Sequence, residues 1–66
     1  MIVLVSAVEA PPGAATGYAY GRTERGREVV IVAPIAHMAR LARRVERAPD
    51  AVRVWAPLAS VLAVSR

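Results

Sequence analysis

Gly17-Tyr18-Ala19-Tyr20-Gly21-Arg22 alternates small residues with large ones. In an extended strand, residues two apart share a face. Tyr18, Tyr20 and Arg22 therefore stand side by side, while Ala19, Gly21 and Thr23 take the opposite face. Two flat rings and a guanidinium on one surface can stack nucleobases and hold phosphates. The same pattern also suits a half-buried strand whose tyrosines fill core space with their hydroxyls at the rim.

The rest of the chain arranges itself around this strand, read as Tyr18 to Thr23. Ile2 to Val8 is an apolar, β-branched run and reads as a strand buried on both faces. Ala10-Pro11-Pro12-Gly13 ends it, because two prolines cannot continue a ladder. Glu24-Arg25-Gly26-Arg27 is a charged turn with Gly26 at the left-handed position, and Glu28 to Ala33 is the returning strand of a hairpin. Pro34 opens a helix over Ile35 to Arg47, which Pro49 stops. On a wheel Ile35, Met38, Ala39, Leu41, Ala42 and Val45 share one face; Arg40, Arg43, Arg44 and Arg47 gather on the other, with His37 at the border. Ala51 to Ala56 alternates as a strand, Pro57 breaks it, and Val61 to Val64 is a last short strand ending near Arg66.

Residues 1–66 make one domain, and at this length a core is small. Cysteine is absent, so neither a disulfide nor a thiolate metal site can staple it. Stability must come from a compact barrel or sheet, or from a partner. The order strand, strand, strand, helix, strand, strand predicts a mostly β fold, a small five-stranded OB-like barrel with one helix between strands 3 and 4. The alternative is an open α+β sheet with the helix on one face and strand 1 pairing across a dimer. An SH3-like barrel is a third option, which the length of the helix disfavours.

Gly17-Tyr18-Ala19-Tyr20 resembles the core of the RNP1 motif of RNA-binding domains. The turn that follows, with Glu28-Val29-Val30-Ile31-Val32, resembles the hairpin of cold-shock proteins, which are OB barrels of about this length. Four further segments are similar in layout to bacterial translation initiation factor one and other S1-type OB domains. These are Arg27 to Ala33, Ile35-Ala36-His37-Met38-Ala39-Arg40, Pro49 to Trp55 and Ala63-Val64-Ser65-Arg66. Thr16 stands where the motif has a basic residue, Gly21 where it has an aliphatic one, and aliphatics replace the third-strand aromatic. The resemblance implies an OB fold and nucleic-acid binding.

All nine basic residues are arginine and the net charge is +4, a balance that favours anionic partners. The expected function is a small module for RNA or single-stranded DNA with low sequence specificity. Tyr18 and Tyr20 would stack bases, and Arg22 and Arg53 would contact phosphate. Arg40, Arg43, Arg44 and Arg47 would supply a basic surface. The helix arginines also suit a solvated face, with Arg43–Glu46 and Arg47–Asp50 as weak ion pairs. Trp55 shares a strand face with Arg53 and can extend the platform, although a sole tryptophan in a small domain reads first as core.

Catalysis finds little support. His37 is the single histidine, the carboxylates are scattered, and no nucleophile–base or metal-ligand spacing is present. Gly13-Ala14-Ala15-Thr16-Gly17 lacks the Gly-Lys-Ser/Thr end of a P-loop. We therefore expect no enzyme, cofactor or metal. The N-terminal apolar run is too short and lacks the basic start of a signal peptide, and nothing approaches a membrane span, so a cytoplasmic location is expected. The second expectation is a protein-interaction or structural module acting as a homodimer or small subunit. An apolar content of 56%, above the usual ~45–50%, leaves room for one. Its interface would use the first strand and the C-terminal segment.

Overall fold

The hairpin read around Gly26 is the centre of the sheet. The computed structural model describes residues 1–64. Strand β2 (Thr16–Thr23) turns into β3 (Glu28–Pro34) with Arg22 opposite Glu28. Gly26 takes φ +80°, as expected of a residue without Cβ. The turn is held by the Thr23 N–H donating to the Arg27 carbonyl at 2.9 Å and the Gly26 N–H donating to the Thr23 carbonyl at 2.9 Å. On the other side of β2 lies β1 (Ile2–Glu9), and beyond it β4 (Val52–Trp55). Helix α1 spans Ile35–Arg47, and β5 (Val61–Ala63) pairs with β3 after a single 3-10 turn over Leu58–Ser60. The protein is thus mostly β, with five antiparallel strands in the order β4-β1-β2-β3-β5 and one helix. Ser65 and Arg66, which follow the last strand of the sequence reading (Val61 to Val64), lie outside the described residues.

The helix seats on one face of the sheet. Met38 and Leu41 are buried there against Val3, Val5, Ala19, Val29 and Ile31. Pro34 closes β3 and stands just before the helix rather than inside its first turn. The Ile35 N–H, one of the helix's free donors, is taken by the Ala15 carbonyl at 3.0 Å. Helix and β2 are therefore tied at their shared end.

β1 departs from its sequence reading. It is buried on one face only: Val3 and Val5 are fully buried, while Ile2 and Leu4 remain 39% and 38% exposed. The reason is that the sheet has one covering layer, not two. A bulge at Ser6 shifts the register between Val5 and Ala7, so that Val8 rather than Ala7 faces inward opposite Ala19. The Ser6 hydroxyl donates to the Tyr20 carbonyl at 3.2 Å and ties the bulge to β2.

The hydrogen-bonded ladder does not close. β4 and β5 occupy the two edges and, by their pairings, run in the same direction. Parallel neighbours need a crossover of a dozen or more residues, and only residues 56–60 join these two. That short link still forces the sheet to curl. In a flat sheet the end of β4 and the start of β5 would lie about 25 Å apart, from four strand spacings and five residues of offset. Three extended steps and one 3-10 turn reach only about 17 Å. The edges must bend toward each other, leaving a seam between β4 and β5.

Curling requires a thin inner row on the central strand. Gly17, Ala19 and Gly21 supply it. A Cβ on Gly21 would lie 2.2 Å from the Leu4 carbonyl oxygen and 2.9 Å from Val3 Cγ1; one on Gly17 would lie 2.8 Å from Met38 Cβ. Backbone stands in the way at Gly21, so relief requires β1 to move. Gly21→Ala should cost about 1–3 kcal/mol of stability in chemical denaturation. Gly13→Ala has open space around it and bears only the cost of φ +80°, about 1 kcal/mol. Equal midpoints for Gly21→Ala and the parent would refute the close approach of β1 and β2.

Candidate nucleic-acid interface

The alternation in β2 is realised as read. Tyr18, Tyr20 and Arg22 point away from the helix, and Gly17, Ala19 and Gly21 point toward it. On the outer sheet surface Tyr18 lies opposite Glu9 of β1 and Val32 of β3, and Tyr20 lies opposite Val30. Tyr18 is 39% exposed and Tyr20 is half-buried. The Tyr20 hydroxyl is held above the usual tyrosine value of 10.0. Desolvation is the largest cause; the charge of Glu9, a hydrogen bond to the Glu9 carboxylate and the neighbouring Tyr18 add to it. An acid thus sits against the rings that were expected to receive a polyanion.

Arg22 is also engaged. Its guanidinium meets Glu28 at 3.4 Å, a well-solvated pair of modest worth that still neutralises the centre of the face. Arg53 of β4 lies on the same outer surface, separated from Arg22 by Leu4, which pairs with both. Around these charges the surface is apolar, with Ile2, Leu4 and Leu62 exposed.

The helix arginines lie on the other side of the molecule. Arg40, Arg43, Arg44 and Arg47 are all exposed, opposite the buried Met38 and Leu41. The expected site therefore divides in two: the tyrosine strand and Arg22 with Arg53 on the open sheet face, the arginine helix behind it. Neither of the helix ion pairs read from the sequence, Arg43–Glu46 and Arg47–Asp50, is present among the described residues. At about 100° per residue, Glu46 falls on the flank of α1 away from Arg44 and His37. His37 is exposed at the border, as read.

Trp55 is the main correction. It is 69% exposed rather than core. Val52 and Val54 take the inward positions of β4, and an edge strand with no second layer gives the outward one no cover. Nor does Trp55 extend the tyrosine platform. It pairs with Ile2, two strands and about four residues from Tyr20, roughly 16 Å across the sheet. Instead Trp55 borders a cleft of about 640 Å³ at the seam, between α1 and strands β3 and β4. Ile31, Met38, Leu41 and Val54 form its apolar interior, and Arg40, Arg44 and His37 stand along its helix side. The cleft could not be read from sequence, because it exists only through the curl of the sheet.

Among the described residues no group of three His, Cys, Asp or Glu is placed to hold a metal, and no helix is long and apolar enough to cross a membrane. No protein-family model, curated protein or solved structure matches the chain.

The raised Tyr20 gives a pH prediction. Folded Tyr20 holds its proton more tightly than in the unfolded chain. The stability it contributes is present below pH of about 10 and lost as pH rises through the raised value. Ultraviolet titration should show Tyr20 ionising above the usual range, and Glu9→Gln should bring it down. A Tyr20 titration unmoved by Glu9→Gln would contradict the contact.

Proposed function

We propose that the protein is a small nucleic-acid-binding module of low sequence specificity that binds through the arginine face of α1. The observation carrying this reading is the segregation of charge. Arg40, Arg43, Arg44 and Arg47 project together from one exposed side of the helix, while Glu9 and Glu28 sit on the far face of the sheet. Backbone phosphates are recognised by such a surface without base readout, and the affinity it gives falls steeply with salt. The OB-like resemblance points to the same class of partner. The curl supports a barrel-like shape open at the seam, while the closed five-stranded OB barrel would need a ladder between β4 and β5.

The reading alters the roles expected of the sheet residues. Tyr18 and Tyr20, beside Glu9, and Arg22, paired with Glu28, become secondary to the helix in holding a polyanion. Arg43→Ala with Arg47→Ala should weaken binding of a labelled single-stranded oligonucleotide about evenly across sequences. It should also reduce the slope of log K against log salt by about 1.4, from ~0.7 per lost phosphate contact on a single strand. Fluorescence anisotropy over a salt series measures both. An unchanged slope in the double variant would remove the helix from the interface.

A specific observation favours a second reading, a homodimer built on the open sheet face. Ile2 and Leu4 of β1 and Leu62 and Val64 near the C-terminus are exposed together with Tyr18. Apolar exposure of this kind marks interaction surfaces. Sedimentation equilibrium should then show a dimer that Leu4→Arg dissociates. A monomer at all accessible concentrations would exclude it.

A further inference from the structure

We infer that the cleft at the β4–β5 seam is a pocket for an unstacked nucleotide, so that the protein prefers single strands or frayed ends to duplex. The inference rests on the arginine-face reading and assigns a specific role to the space beside that face.

Three observations converge on this cleft. The first is charge. Arg40 and Arg44 stand on its helix side with His37, and no carboxylate is among the residues that line it. The two arginines are four residues apart on α1, about 6 Å along the axis. Successive phosphates of an extended strand can meet such a spacing, and Arg43 and Arg47 repeat it one step around the helix. The second is the interior. Ile31, Met38, Leu41 and Val54 offer apolar walls, which suit the faces of a base rather than a sugar–phosphate chain. Its volume of about 640 Å³ falls within the roughly 300–1,000 Å³ of small-ligand sites, ample for a base with its sugar. The third is Trp55, which borders the same cleft and is 69% exposed. An indole left in water on an edge strand costs solvation and does not serve the core. From the outward position of this edge strand, at the rim of the cleft, it is a stacking partner for any base, whatever its identity.

A base inside a duplex cannot use this arrangement. Its faces are occupied by neighbours, and extrusion costs the pairing and stacking it gives up. A single strand has that surface free. The cleft therefore adds selectivity to a helix face that on its own attracts both forms.

Trp55 is the only tryptophan of the chain and stands at the rim of the cleft, so its fluorescence responds to a base stacked there. A short oligo-dT, an oligo-rU of the same length and a blunt duplex of the same length would be titrated at low salt. The expected result is saturable quenching by the single strands and weaker binding by the duplex. Trp55→Leu should lower single-strand affinity roughly ten-fold or more while leaving duplex binding nearly unchanged, and Trp55→Phe should restore most of it. Because Trp55 is exposed, neither variant should disturb the fold, which circular dichroism checks. Equal binding of single strand and duplex, without quenching and without an effect of Trp55→Leu, would overturn the pocket and leave the arginine face standing. No binding of either form at low salt would remove the arginine face and the pocket together. Quenching by an acidic amphipathic peptide but by no oligonucleotide would also overturn the assignment and give the cleft to a protein partner.

Discussion

The close approach of β2 to its surroundings is the constraint on which the rest of the structure depends. Gly17, Ala19 and Gly21 keep the inner face of the central strand nearly bare. β1 can then come within contact of Gly21, and Met38 can seat against Gly17. Without that thin row the helix would stand off the sheet, and the curl that lets residues 56–60 bridge its two edges would be blocked. A core lacking large aromatic side chains becomes workable for the same reason. Valine, isoleucine, methionine and leucine fill the space because little space is left.

From this packing follows an uneven distribution of chemistry. One helix covers one face, so the outer surface of the sheet stays apolar between its charges, with Arg22 paired to Glu28. Four arginines, Arg40, Arg43, Arg44 and Arg47, gather on the helix side instead. A chain with a net charge of +4 thus carries four of its arginines on one helix face, a concentration that its composition alone does not describe. The seam lies where the two regimes meet, with apolar walls below and cations alongside.

How much of this was legible in the sequence depends on the range of the interaction concerned. The helix bounds, Ile35–Arg47, and the Gly26 hairpin follow from local signals: a 3.6-residue period, Pro34 and Pro49, and a glycine between two alternating runs. The two faces of β2 were equally readable, since strand alternation is a local property. Pairing partners were not, because nothing near Val52 says that it will lie against Val5, and nothing near Val61 says that it will meet Ile31. The exposure of Trp55 was missed for this reason: whether an edge residue is covered depends on the layer count of the whole sheet. So was the Ser6 bulge, where a run read as two-sided burial is a one-sided strand that changes parity midway.

The edges of the sheet have a consequence of their own. An open sheet with an apolar face invites growth by addition of further strands, the route to fibrils. Here the terminal strands are only four and three residues long, β4 and β5 respectively. A docking strand would find few free amides and carbonyls in register before meeting Pro57 on one side or the end of β5 on the other. Brevity at the margins thus limits how far another strand can pair along either edge of a sheet whose outer face is apolar.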